Sequence, residues 1–176
     1  MKRSILFAVA AVGLLLGACK DKPKNKADPG QPKPVAKLVE AEAANLASDA
    51  LFAIQVRDFA RAEASLARAV KLRNDIPDWW VSLGSARKRQ GKNSDARAAY
   101  KEALSLFEDR YDATKDPQDL QQQLIILVLL GKEGEARKLL DQSCQKRPDE
   151  LLFKQLKEGQ VIDQMLRDPI IQQMKL

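Results

Sequence analysis

A pattern of six residues in segment 77–110, repeated on either side at a near-constant period, constrains this chain more than any other feature. The segment PDWWVSLGSARKRQGKNSDARAAYKEALSLFEDR reads as two amphipathic helices about a Gly-containing turn. Trp80, Leu83, Gly84, Ala96, Tyr100 and Ala103 fall at successive separations of three, one, twelve, four and three. Small residues (Gly84, Ala96, Ala103) let antiparallel helices approach closely, and large ones (Trp80, Leu83, Tyr100) fill the space between them. One such pair cannot bury its apolar face alone, so it needs neighbours. Leu46, Ala50, Ala62, Leu66 and Ala69 take the matching places 34 residues earlier. After an insertion of six residues at about 111–116, Leu120, Leu127, Gly131, Ala136, Leu140 and Pro148 come back into register. The turn Gly91–Ala96 is answered by Arg57–Ala62 before it and by Gly131–Ala136 after it.

These residues and this period resemble the tetratricopeptide repeat (TPR), with units at about 43–76, 77–110 and 117–150. The resemblance implies an all-α fold, an α/α superhelix of about three helix pairs over residues 35–148. A C-terminal capping helix and tail are expected over 149–176. The resemblance also implies that the first helix of each pair lines a concave groove for an extended peptide or a partner helix. By repeat position the groove residues are Ala47, Leu51 and Ile54, then Asp78, Val81, Ser85, Lys88 and Arg89, then Gln118, Gln121, Ile125 and Val128. The Lys/Asn set by which chaperone-binding members clamp a C-terminal carboxylate is absent. Asp49 and Gln123 stand where the family favours Leu, Leu124 where it favours a small residue, and Arg87 where it favours Tyr. Altered packing is therefore expected in units one and three.

The first 18 residues read as a secretory leader. Lys2 and Arg3 precede an apolar run, Ile5–Leu16, that is too short to span a bilayer and ends in small residues. Leu16-Gly17-Ala18-Cys19 resembles the bacterial lipobox, which implies cleavage before Cys19, attachment of diacylglycerol through its sulfur and acylation of the new amine. Two or three acyl chains on one residue make a stable membrane anchor. Lys20, where Asp favours inner-membrane retention, points to the outer membrane, facing the periplasm. The stretch 20–34 carries four prolines, a glycine and five lysines with no large apolar side chain, so it reads as an extended tether.

Composition narrows the chemistry. Of 30 basic residues two lie in the leader, leaving 28 against 24 acidic ones, a net +4. That is too mild a charge for a dedicated nucleic-acid binder. There is no histidine, which removes Ser-His-Asp and Cys-His catalysis and most zinc sites. No Gly-rich phosphate loop and no Cys/His metal pattern is present. The expectation is a protein that is not an enzyme, with no cofactor and no metal site. Cys144 reads as a packed small hydrophobe, with a reactive thiol as the lesser reading.

Elsewhere the pattern gives helices from Val35 to Val56 and from Asp58 to about Arg73. Pro77 and Pro117 open the next two pairs, Asp116 caps the latter, and Gly91 and Gly131 end two first helices. The apolar run Leu124–Leu130 must be covered on all sides. A capping helix over Glu150–Leu166 is the natural cover. A final turn after Asp168-Pro169, carrying Ile170, Ile171 and Met174, either docks on the domain or stays available for a partner. Within Arg87-Lys88-Arg89, neighbouring residues do not share a face, so Arg87 is expected inside the pair and Lys88 and Arg89 in the groove. The expected function is a scaffold or adaptor that binds another envelope protein or peptide near the membrane. The alternative is binding of an anionic envelope polymer, peptidoglycan or lipopolysaccharide, by basic residues. Homo-oligomerisation through the tail is a third reading.

Overall fold

A computed structural model describes residues 34–176; the leader, Cys19 and all of the tether before Pro34 lie outside the described residues. Among the described residues there are nine helices and no strand: α1 Lys37–Gln55, α2 Phe59–Leu72, α3 Pro77–Arg89, α4 Asn93–Thr114, α5 Pro117–Leu129, α6 Glu133–Lys146, α7 Leu151–Glu158, α8 Val161–Arg167 and α9 Pro169–Met174. Each of the first seven packs on the next, so the chain is an all-α array of sequential helix pairs.

Local chemistry sets the boundaries. Asp58 accepts a hydrogen bond from the Arg61 N–H at 3.0 Å, and Asp116 accepts one from the Gln118 N–H at 2.9 Å. Each satisfies an amide that has no partner within its own helix. Pro77 and Pro117 occupy first-turn positions where a missing N–H costs nothing. Gly91 and Gly131 stop α3 and α5 at φ +76° and +73°, a left-handed conformation that side-chain-bearing residues rarely adopt.

The helix crossings show how residue size sets spacing. In the first pair Ala50 and Leu66 meet in one buried cluster with Val70, Leu83 and Ala99. In the second, Gly84 lies against the Tyr100 ring so closely that a methyl group on Gly84 would overlap it. In the third, Leu124 and Leu140 are both large and both buried. The α5–α6 pair is correspondingly more loosely apposed than α1–α2 or α3–α4. Altered packing is thus found in unit three, where Leu124 replaces a small residue. In unit one the Ala50 crossing keeps the helices close, and Asp49 is absorbed differently. Its carboxylate accepts from Arg61 and from the Ser65 hydroxyl at 2.6 Å, tying α1 to α2. These donors hold the Asp49 carboxyl below its usual range, with Arg61 the main cause. Gln123 is likewise satisfied, its side-chain amide donating to the Phe107 carbonyl at 3.1 Å. Among the described residues no buried side-chain polar atom lacks a partner.

The expected single capping helix over Glu150–Leu166 is instead two, α7 and α8, broken at Gly159-Gln160. Gln160 is left-handed at φ +50°, and the bend lets Leu156 of α7 and Ile162 of α8 join the same cluster as Leu124, Leu127 and Val128. On a straight helix those two residues, six apart, would point about 120° away from each other. The cover that Leu124–Leu130 requires therefore comes from α4, α6, α8 and α9 together. Cys144 packs against this cluster and points its thiol at the Phe153 carbonyl, 3.6 Å away.

Candidate functional site

The face made by α3 and α5, to which Val81 and Ile125 of the expected groove residues contribute, is occupied. Helix α9 and the two residues after it lie against α3, α5 and α8. Ile171, Met174 and Leu176 pack on a cluster of Tyr100, Ala103, Phe107, Ile126, Leu129 and Leu130. Trp80, Val81 and Ile125 pack on that same cluster.

Three polar contacts hold the segment. The Tyr100 hydroxyl donates to the Met174 carbonyl at 3.0 Å, and the Leu176 N–H donates to the Leu129 carbonyl at 2.8 Å. Lys175 pairs with Glu133. The last contact holds the Glu133 carboxyl below its usual range, with Lys175 the main cause. The local sequence explains the short helix. Asp168 caps it by accepting from the N–H groups of Ile170 at 2.7 Å and Ile171 at 3.2 Å, and Pro169 follows at a first-turn position.

Tyr100 reports on this arrangement. Burial pushes its phenol well above the ordinary value of about 10, while the positive charge of Arg89 pulls weakly the other way. A raised pKa means that the fold favours the neutral phenol. The stability this contributes is complete below about pH 10 and is lost as pH rises above it. Alkaline titration followed by ultraviolet absorbance is expected to show one of the two tyrosines ionising only as the chain unfolds. Two phenols titrating together before any loss of helicity would contradict the placement of Tyr100.

The other expected groove residues scatter. Leu51 is open, at 55% exposure, and Phe52 and Val56 beside it are also exposed. Ile54 is half-buried where α1, α2 and α3 meet, packed on Ala53, Ala62 and Ala86. Ala47 and Val128 are core residues and not groove-lining ones, Val128 because α6 and the α7–α8 bend close over it. Asp78 and Gln118 are exposed, and Ser85 and Gln121 half-buried. The basic run is largely engaged within the chain. Arg87 bonds Glu63 at 3.1 Å and the Asp95 carbonyl at 3.2 Å, Lys88 bonds Asn93 at 3.1 Å, and the exposed Arg89 sits over the Phe59 ring at 5.3 Å. Burial pushes the Glu63 carboxyl up, but its donors Lys92, Arg87 and Gln90 more than offset that and hold it below its usual range. What sequence reasoning missed is the pairing of Tyr100 and Leu129 with a segment so distant in the chain. The Ile171/Met174 spacing was its one visible trace.

Among the described residues no group of three His, Cys, Asp or Glu is placed to hold a metal ion, and no helix is long and apolar enough to cross a membrane. No protein-family model matches the chain, and neither a curated protein nor a solved structure matches it.

Proposed function

We propose that the chain is a lipid-anchored TPR adaptor of the bacterial envelope, which holds a segment of another envelope protein on the inner face of its first helices. The observation that carries this reading is the seat of α9: the α3–α5 face accepts a short helix with apolar side chains and pairs its backbone at two points. Anchoring at Cys19 rests on the lipobox resemblance and predicts that Cys19→Ser moves the protein from the membrane fraction to the soluble one. A variant that stays with the membrane would remove the anchor from the account.

Binding of a peptide is favoured over binding of an anionic polymer through Lys88 and Arg89 because Lys88 already bonds Asn93 and Arg89 lies over the Phe59 ring. Salt separates the two. Charge-led polymer binding weakens steeply with ionic strength, whereas an apolar seat tolerates it. The experiment for the adaptor is in-cell crosslinking from a photoreactive residue at Leu51, which is open in the first pair. A dominant protein adduct supports it. Adducts only to polysaccharide would overturn it in favour of the polymer.

A further inference from the structure

We propose that residues 169–176 are an intramolecular ligand that closes the α3–α5 face, and that the partner is a protein segment of the same chemistry which displaces them. This deepens the adaptor reading and rests on it. The occupant follows from what the seat asks for. Leaving the seat strips apolar cover from a cluster in which Tyr100, Phe107, Ile126 and Leu129 are fully buried. It also leaves the Tyr100 hydroxyl, the Leu129 carbonyl and the Glu133 carboxylate without the groups they now face. A replacement must bring bulky apolar side chains three residues apart, as in Ile171 and Met174. It must also bring a backbone carbonyl for Tyr100, a free backbone N–H for Leu129 and a cation for Glu133. A short amphipathic helix ending in an extended lysine or arginine with one further residue after it offers all four. A lipid tail or an uncharged sugar offers no such set.

The segment is built to be released. Alpha-9 has six residues, far below the length at which a helix holds itself in water, and none of its residues is buried. Its neighbour α8, also short, is pinned by the buried Ile162. Segments held by few buried groups open at much lower cost than the whole fold. A displacing partner competes against the effective concentration of a tethered segment, and confinement to the same membrane at high local concentration offsets that handicap.

The probe is a fluorescent peptide with the sequence of residues 168–176, titrated against the full chain in detergent, with micelles alone as blank. The wild type is expected to take it up weakly, and Ile171→Glu/Met174→Glu, checked for helicity, at least about ten-fold more tightly. Tyr100→Phe takes the same hydrogen bond from the chain's own segment and from the peptide, so uptake should stay close to that of the wild type. Equal uptake by wild type and a folded double variant would overturn the proposal, as would no uptake by either. If the double variant fails to fold, the charge pair carries the test. Lys175→Glu must raise uptake, and adding Glu133→Lys must lower it again; any other order overturns the proposal. Peptide uptake alongside Leu51 crosslinks to polysaccharide alone would keep the seat and sink the adaptor. Crosslinks to a protein without peptide uptake would do the reverse.

Discussion

Phe107→Ala is expected to lower stability by about 3–5 kcal/mol, the largest single-residue effect in this fold. The ring is fully buried at the junction of the second and third helix pairs, among Tyr100, Ile126, Leu129 and Leu130. Arg110 lies over its face at 4.8 Å and bonds the buried Asp119 of α5 at 2.7 Å, so the same site holds α4 to α5 by packing and by charge. Its carbonyl, accepting from Gln123, fixes the backbone there and prevents an easy collapse into the space left behind. A urea midpoint lowered with little change in slope would show this as lost stability of a cooperative unit. A loss below about 1 kcal/mol would mean that the junction relaxes and that the pairs are not one core.

Gly84→Ala is expected to cost about 2–3 kcal/mol, although alanine is the better helix former. The added methyl overlaps the Tyr100 ring, and that ring is held in place by its own hydrogen bond to Met174. The repeat supplies the remedy. At the equivalent positions of the first pair stand Ala50 and Leu66, a crossing that packs well. Adding Tyr100→Leu should therefore recover at least about 1 kcal/mol of the loss, a coupling that distant sites do not show. It should also weaken the hold on α9, seen as a change in Trp80 emission, because Trp80 packs on the cluster that α9 covers. Additive losses in the double variant would contradict the shared register of the two pairs.

The same two residues show what the sequence carries and where it stops. Gly84 and Tyr100 are legible as a crossing because residue size at a fixed period reports helix spacing directly. Pro77, Pro117, Asp58 and Asp116 are legible as helix starts because caps act within one turn. The break at Gly159-Gln160 is not legible in this way. A lone Gly followed by a left-handed Gln is a response to where Leu156 and Ile162 must go, and that is set by a core formed elsewhere in the chain. Val128 lies in the core for a related reason, since repeat position fixes the face of a helix but not what later closes over it. The seat of α9 lies furthest from reach. Its hydrogen bond from Tyr100 to Met174 spans 74 residues, and the Ile171/Met174 spacing shows an apolar edge without showing where it docks.

The most direct test of the closed face is in-cell crosslinking from a photoreactive residue at Val81, with the C-terminal segment intact and with Ile171→Glu/Met174→Glu. Val81 packs on the cluster that Ile171, Met174 and Leu176 cover. The predicted result is attachment to the chain's own residues 169–176 in the first case and one dominant foreign protein in the second. The same foreign adduct in both, at equal yield, would mean that the face stands open and that α9 guards nothing.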